Sequence, residues 1–138
     1  MKKFLITSCL MCFAILSYAE PVIIDGIYYN LIEKTKEAEV TYNPDRTKFY
    51  SGDIIIPEKI KYNNTEYEVT TIGDFAFDLG ANLKTVKLPN SIKKIGISGF
   101  NCSGINSIEL PNSIEFIDGF AFSNCKNLKA ISIPEKVT

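Results

Sequence analysis

The chain contains no histidine and no tryptophan among its 138 residues. Histidine is the commonest general base in enzymes and a frequent zinc ligand, so its absence removes the usual catalytic triads and most zinc sites. We therefore predict a protein that is not an enzyme, with no catalytic residue, no metal site and no cofactor. A carboxylate-dependent glycan hydrolase is the remote alternative, although the acidic residues are scattered along the chain.

The sequence also lacks an excess of positive charge. Fifteen Lys and Arg residues are balanced by sixteen Asp and Glu residues, which gives a formal net charge of -1. Proteins that bind nucleic acid hold the phosphates mainly with clusters of Lys and Arg. The composition therefore argues against nucleic acid as a partner.

Long apolar runs are absent as well, because no stretch approaches the roughly 20 residues that a membrane-spanning helix needs. The apolar stretch at residues 4–16 follows two lysines and precedes a small-x-small sequence that ends at Ala19. This arrangement is typical of a secretory signal peptide. We expect residues 1–19 to be removed after Ala19 and the mature protein to be secreted or held at the cell surface without a transmembrane span. Lipidation at Cys9 is a weaker alternative.

The second half of the chain contains an internal repeat. One apolar template recurs three times, at Val69, Ile72, Phe77, Leu83, Val86 and Leu88, at Ile92, Ile95, Phe100, Ile105, Ile108 and Leu110, and at Ile114, Ile117, Phe122, Leu128, Ile131 and Ile133. A period in the twenties with an L-x-x-L-x-L core is typical of a leucine-rich repeat solenoid, in which each repeat forms one coil stacked on the next. We predict a mainly β, right-handed solenoid of short coils in which Phe77, Phe100 and Phe122 stack.

Each repeat also contains the same local signals. The run Leu83–Leu88 alternates apolar and polar residues as a strand with one buried face must, and Pro89 then begins a corner, as Pro111 and Pro134 do in later repeats. A second extended piece follows each corner. Its last isoleucine is followed by Gly73, Gly96 or Asp118, residue types that tolerate a positive φ, so we expect turns there.

These signals divide the chain into three parts. Residues 1–19 are the signal peptide, and residues 20–68 form a β-rich N-terminal cap with a partial first repeat. Residues 69–91, 92–113 and 114–136 are three full repeats, followed by the start of a fourth. Hairpins are predicted at Asp25-Gly26 and at Asn63-Asn64, where turn-prone residues separate strand-like runs. The tyrosines of the mature chain all precede residue 69, and we interpret them mainly as packing residues of the cap.

The repeats resemble the BspA-like, or treponemal-type, bacterial leucine-rich repeat surface proteins. The resemblance lies in the motifs Leu128-Lys-Ala-Ile131-Ser-Ile133-Pro134, Ile92-Lys-Lys-Ile95-Gly96 and Ala121-Phe122-Ser-Asn-Cys125. It covers roughly residue 54 to residue 138. What it implies is a secreted or surface-attached protein that mediates adhesion or protein–protein interaction. The expected partner is a protein ligand, such as a host matrix protein or another bacterial surface protein.

The strand residues that point away from the core are the candidate partner-binding residues. They are Thr85, Lys87, Ser107, Glu109, Ala130 and Ser132. The simpler interpretation is that these six are ordinary solvent-exposed positions. Phe75 and Phe120 share a repeat position that holds Ser98 in the middle coil, so we expect these two rings to be partly exposed.

Two further hypotheses concern the cysteines and the last coil. Cys102 and Cys125 each lie three residues before a core position, which predicts that they occupy the same place on adjacent coils, either as a disulfide or as a free buried pair. The last coil has no successor after Val137, so a structural alternative is a fragment or repeat module of a larger surface protein that self-associates through an uncapped apolar edge.

Overall fold

The computed structural model describes residues 19–138, so the predicted signal peptide lies outside the described residues except for Ala19. The strands are β1 (Val22–Ile24), β2 (Ile27–Ile32), β3 (Glu37–Thr41), β4 (Gly52–Ile55), β5 (Lys59–Tyr62), β6 (Thr65–Ile72), β7 (Leu83–Lys87), β8 (Lys94–Ile95) and β9 (Phe116–Ile117). Residues 19–138 contain no helix, and hence none that is long and apolar enough to cross a membrane. The mainly β prediction is therefore confirmed.

Two hairpins shape the N-terminal part of the chain. Strands β1 and β2 pair in antiparallel fashion around Asp25 and Gly26, whose φ angles are 50° and 80°. Strands β5 and β6 pair around Asn63 and Asn64, at 46° and 61°. A positive φ at both central residues is the geometry of a two-residue turn whose twist matches that of the strands. Both hairpins predicted from the sequence are confirmed.

The large sheet runs in the order β1, β2, β3, β6, β8, β9, with β5 paired to β6. From β3 onward the neighbours on the main path are parallel, one strand from each coil. Their core-facing residues Val40, Ile72, Ile95 and Ile117 are in register. Successive coils therefore stack with like residues side by side, and the leucine-rich repeat solenoid is confirmed.

Backbone hydrogen bonds also join the coils outside the strands. The Phe77 N–H donates to the Gly99 carbonyl at 2.7 Å, and the Phe100 N–H donates to the Ala121 carbonyl at 2.8 Å. The predicted corners close by hydrogen bonds from Ile92 N–H to Pro89 O, from Ile114 N–H to Pro111 O and from Val137 N–H to Pro134 O. The bonds from Phe77 and Phe100 tie each coil to the next outside the strands, while the corner bonds close a turn within each coil.

An aromatic stack runs through the centre of the coils. The ring centroids of Phe77 and Phe100 are 5.0 Å apart, and those of Phe100 and Phe122 are 5.3 Å apart, with nearly parallel planes. The predicted stack is confirmed. It is longer than expected, because the Tyr50 ring lies 4.9 Å from Phe77 in a tilted arrangement. Tyr50 thus occupies the ring position of a coil that precedes the first clear repeat.

Tyrosines fill the interior of the cap as well. Tyr29 and Tyr67 are almost completely buried in the hydrophobic core. The Tyr50 hydroxyl accepts a hydrogen bond from Tyr28 N–H at 2.9 Å and donates one to the Thr41 carbonyl at 2.8 Å. The packing interpretation is confirmed for Tyr29, Tyr50 and Tyr67, which hold the cap hairpins against the first coil.

The second sheet is smaller than the sequence predicts. Strand β4 pairs in parallel with β7, and an isolated bridge joins Thr85 to Ser107. The corresponding stretch of the last repeat, residues 128–133, has no strand assignment. The prediction of a strand at this position in every repeat is therefore correct for β7 alone. The middle copy forms only the Ser107 bridge, and the last copy forms neither strand nor bridge.

The expected positive φ angles after the second extended piece are also wrong. Gly73, Gly96 and Asp118 are not in the left-handed region. The left-handed residues lie two positions further along, at Phe75, Ser98 and Phe120, with φ angles of 58°, 53° and 59°. Gly96 has another reason to lack a side chain, since a Cβ atom there would lie 2.7 Å from the backbone nitrogen of Asp74 in the preceding coil.

Candidate protein-interaction surfaces

The first candidate surface is the outer side of the small sheet, which holds Thr85 and Lys87, continued by the irregular stretches of the next two coils that hold the other four predicted residues. Thr85 is half-buried and the other five are exposed. The Thr85–Ser107 bridge brings these two residues together on adjacent coils. Ala130 and Ser132 lie on the irregular stretch of the last coil, outside any strand pair. Strand pairing therefore aligns candidate residues from the first two repeats, Thr85 and Ser107, but not those of the third repeat.

Two residues that the sequence prediction missed belong to the same surface. Asp53 and Ile55 are in register with Thr85 and Lys87 across the β4–β7 pair. The Thr85 hydroxyl donates to Asp53 Oδ1 at 2.6 Å, and Ile55 has 70% of its surface exposed. The sequence did contain a signal for these two residues. Matching Ile54 and Ile56 to Val86 and Leu88 aligns Asp53 with Thr85 and Ile55 with Lys87.

The second candidate surface is the outer face of the large sheet. One row of in-register residues crosses five strands of this sheet: Asn30, Glu39, Thr71, Lys94 and Phe116. The first four line a cleft of about 480 Å³, whose wall includes Glu20 and Asp74. Sequence reasoning missed this surface because the row depends on how β2 and β3 of the cap pair with the repeats.

Charged groups at the cleft are held by hydrogen bonds. Asn30 Nδ2 donates to Glu39 Oε1 at 3.0 Å, and Lys94 Nζ lies 2.8 Å from Asp118 Oδ2. The hydrogen bond with Asp118 raises the pKa of Lys94, and the charges of Asp118, Asp74 and Glu39 act in the same direction. With Asp118 paired to Lys94, the carboxylates that line the cleft leave it with an excess of negative charge.

The cysteine prediction is corrected by the position of the deletion in the second repeat. Left-handed backbone marks one repeat position at Leu79, Cys102 and Asn124. Cys102 is therefore equivalent to Asn124, and Cys125 is equivalent to Ser103. The Cys125 Sγ lies 3.0 Å from the Phe100 carbonyl oxygen and 3.5 Å from Ser103 Oγ. Both cysteines are free thiols, half-buried at different places in their coils.

The geometry is that of a stacked repeat, and comparison with known proteins identifies its kind. Residues 53–138 match the family described as BspA type leucine-rich repeat region (6 copies). The chain belongs to the BspA-type leucine-rich repeat family. Leucine-rich repeats of this type form a protein-interaction module. No curated protein matches the chain in sequence.

Solved structures of BspA-type and other leucine-rich repeat proteins share the fold. A leucine-rich repeat protein from Bacteroides ovatus is 29% identical with a TM-score of 0.74 over 84% of this chain and 30% of that one. One from Bacteroides capillosus is 26% identical with a TM-score of 0.73, covering 86% of each chain. One from T. pallidum is 23% identical with a TM-score of 0.69, over 86% of this chain and 52% of that one. The chain thus spans about a third of the first relative and about half of the third.

Proposed function

We propose that this BspA-type repeat chain is an exported binding protein that mediates adhesion by holding a protein partner, and that it has no catalytic role. The partner is a host matrix protein or a surface protein of another bacterium. Export is supported by the signal-like residues 1–19. The division into a cap at residues 20–68 and repeats from residue 69 is part of the same proposal. Mass spectrometry of the exported product should find Glu20 as its first residue.

The observation that carries the binding proposal is the alignment of exposed side chains on the small sheet. Asp53, Thr85 and Ser107 are brought side by side by strand register. Beside this row lie Ile55 and Lys87, in register with each other and both exposed. A flat surface with one exposed apolar side chain and charges around it can bind a protein, because an apolar centre with a polar rim is the usual anatomy of an interface.

A binding assay with charge-reversed variants tests this surface. The chain from Glu20 to Thr138 is immobilised, and capture from host matrix and neighbouring-cell extracts is compared with that of a variant carrying Lys87→Glu and Glu109→Lys. A matched control reverses Lys59 and Glu66, an exposed pair 2.8 Å apart on the β5–β6 hairpin. We expect the first variant to lose a captured protein that the control retains. Unchanged capture by both variants would show that the small sheet is not the binding surface.

The absence of catalysis has its own test. The glycan hydrolase alternative predicts turnover of a polysaccharide panel that disappears with a single Asp or Glu change. A binding protein should instead show no turnover and lose affinity gradually as surface residues are changed. Reproducible sugar release by the purified chain would therefore overturn the proposal.

Self-association is a second candidate function, favoured by one observation on the last coil. Its core side chains Ile117, Phe122, Leu128 and Ile131 are only half-buried, whereas their counterparts in earlier coils are buried. The Thr138 N–H donates to the Glu115 carbonyl at 3.0 Å, which continues the ladder beyond the third repeat. Light scattering over a range of concentrations should show oligomers that Ile133→Glu abolishes. A monomer at high concentration would contradict this candidate.

A further inference from the structure

The cleft on the large sheet is bordered by an apolar strip that neither binding hypothesis uses. The strip consists of Phe75, Ile97, Phe116 and Phe120, all of them exposed. Phe75 N–H donates to the Ile97 carbonyl at 2.9 Å, and Ser98 N–H donates to the Gly119 carbonyl at 3.1 Å. Phe75 and Ile97 therefore lie on adjacent coils, and Phe120 follows Gly119 on the next coil, which also holds Phe116 as the strand partner of Lys94. Three adjacent coils span roughly 10 Å.

The strip and the cleft are continuous. Asp74 and Gly96 line the cleft, and Phe75 and Ile97 follow them directly in the chain. The Ile97 N–H donates to Asp74 Oδ1 at 2.8 Å, which ties the two features together. Phe116 is the in-register partner of Lys94 and therefore stands on the same sheet face as the cleft floor.

Two of these rings are held in an unfavourable backbone conformation. Phe75 and Phe120 have φ angles of 58° and 59°, in the left-handed region. Asn and Gly adopt this conformation readily, whereas a bulky side chain is sterically disfavoured there. Phe120 is 76% exposed, so packing of its ring in this chain does not account for the choice of phenylalanine, whereas Phe75 is 39% exposed. Strained and exposed residues of this kind are typical of binding sites. The middle coil places the small Ser98 at the same position.

The charge around the strip indicates the chemistry of the partner. The cleft is lined by Glu39 and Asp74, while Lys94 is already engaged by Asp118. Glu20 also lines the cleft but adds no net charge, because cleavage after Ala19 leaves a positive α-amino group on the same residue. A cationic side chain would therefore be attracted into the cleft, and an anionic one would be repelled. The apolar strip beside it can cover aliphatic or aromatic side chains. Exposed apolar surface with a polar rim is a recognised mark of an interaction site.

We propose that this composite surface, the cleft together with the strip, binds a segment of a partner protein in which a Lys or Arg is flanked by apolar side chains. The cationic head enters between Glu39 and Asp74, and the apolar neighbours lie on Phe75, Ile97 and Phe120. This inference shares with the proposed function the premise that the partner is a protein. It differs in placing the contact on the large sheet, whereas Lys87 lies in β7 of the small sheet.

The test uses a phage-displayed library of random dodecapeptides selected on the chain from Glu20 to Thr138. We expect enriched peptides with Lys or Arg beside apolar residues, binding more weakly as salt is raised. Their affinity, measured by fluorescence anisotropy, should fall about tenfold or more for the double variant Glu39→Gln with Asp74→Asn. Both changes remove charge while keeping the oxygens that accept from Asn30 and Ile97, so folding is expected to persist.

Two further variants separate the possible outcomes. Phe120→Asn should weaken peptide binding while leaving the fold intact, because asparagine tolerates the left-handed backbone. The variant with Lys87→Glu and Glu109→Lys should bind the peptides as the unchanged chain does. If the Lys87 and Glu109 changes abolish peptide binding and the Glu39 and Asp74 changes do not, the small sheet is the binding surface and this inference fails.

Other results would also overturn it. Enrichment of acidic peptides, no enrichment at all, or binding that ignores the Glu39 and Asp74 changes each contradicts the composite surface. Concentration-dependent self-association that these two changes abolish would assign the cleft to a second copy of the chain. Peptide binding at the cleft without any capture from cell or matrix extracts would instead count against the adhesion proposal and leave the cleft inference standing.

Discussion

Gly96 illustrates how closely one coil approaches the next. The residue has an ordinary φ, yet a Cβ atom on it would contact Asp74 Oδ1 and lie 2.9 Å from the carbonyl carbon of Gly73. The constraint is therefore steric and comes from the neighbouring coil. The sequence alone suggested that this glycine serves a turn. It does not show that the backbone of Gly73 and Asp74, 22 or 23 residues earlier, packs against Gly96.

Replacing Gly96 with alanine should destabilise the protein. The added methyl group would force backbone to move, and overpacking of this kind costs typically about 1–3 kcal/mol. Urea denaturation followed by circular dichroism measures the loss. Gly119→Ala is the matched control, since nothing lies within 4 Å of a Cβ atom there and the φ of Gly119 is not positive. Equal stability of the two variants would show that the coils can separate more easily than the structure implies.

Replacing Phe120, unlike Gly96, should stabilise the protein. Phe120→Asn should raise the free energy of unfolding by about 1 kcal/mol, because the left-handed backbone penalises a bulky side chain and favours asparagine. Asn124 already has a φ of 56° at another left-handed position of the same coil. Phe116→Asn serves as the control, since Phe116 is equally apolar and 52% exposed but lies in β9 with no positive φ. A gain for Phe116→Asn as large as that for Phe120→Asn would mean that exposure, not backbone strain, explains the effect.

The cap elements depend on the hydroxyl of the half-buried Tyr50. Its ring ends the aromatic stack, and its oxygen joins Tyr28 of β2 to Thr41 of β3. Burial raises the pKa of Tyr50 to about 12, and burial likewise raises the pKa of Tyr29, with the charges of Tyr50 and Asp25 as smaller causes. The cap therefore favours the neutral phenol.

This predicts a loss of stability in alkaline solution. The folded-state pKa of Tyr50 exceeds its unfolded value of 10, so its contribution is complete below pH 10 and is lost as the pH rises from 10 to 12. Tyr50→Phe should cost about 1–2 kcal/mol at neutral pH through the lost hydrogen bonds, but should flatten the decline above pH 10. Thermal melts between pH 7 and pH 12 measure both effects. Tyr62→Phe, at an exposed hairpin position, should change neither, and an unaltered alkaline slope in Tyr50→Phe would refute the assignment.

The elements divide into those that the sequence predicts and those that it cannot. Hairpins at Asp25-Gly26 and Asn63-Asn64 were predictable because the turn chemistry is local. The ring position of Tyr50 was not, because its flanking residues do not match the repeat template. The cysteine register was misassigned for a related reason. A one-residue deletion can be placed on either side of Cys102 without changing the periodicity of the core, and only the backbone shows which side is correct.

The candidate surfaces show the same limit. Lys87 of the small sheet and Glu109 of the next coil could be located from the alternation of apolar and polar residues within one repeat. The composite surface on the large sheet could not, because its row combines Glu39 of the cap with Lys94 of the repeats. The row depends on the parallel pairing of β3 with β6, in which Glu39 pairs with Thr71 after a register shift between Ala38 and Glu39. Contacts of this kind depend on tertiary packing that periodicity does not encode.

Across the whole molecule, burial falls from the centre of the stack towards its last coil. Phe77 and Phe100 are fully buried, whereas Phe122, in the same stack, is only half-buried. In a repeat protein each coil is stabilised mainly by its neighbours, so in a purified chain of residues 20–138 the coil that is packed on one side only should open most readily. The last repeat is therefore expected to be the least stable part of the described chain.

Hydrogen exchange can test this gradient with three equivalent amides. The N–H groups of Gly73, Gly96 and Asp118 each donate to the preceding coil, at 2.8, 2.8 and 2.9 Å. Because the bonds are alike, differences in exchange should report coil opening. We expect the Asp118 amide to exchange about tenfold or more faster than the Gly96 amide, measured by NMR at low protein concentration. Equal protection would indicate that the three coils unfold as one cooperative unit.

The ladder that joins the coils has an evolutionary consequence. Each coil exchanges hydrogen bonds with its neighbours at the same backbone positions. The Gly96 and Asp118 N–H groups donate to the preceding coil, and the Phe77 and Phe100 N–H groups donate to the next one. Recombination that duplicates or deletes one repeat in the gene would leave every junction chemically intact. Selection can thus lengthen or shorten the array without redesigning its interior, and surface residues remain free to diversify from unit to unit.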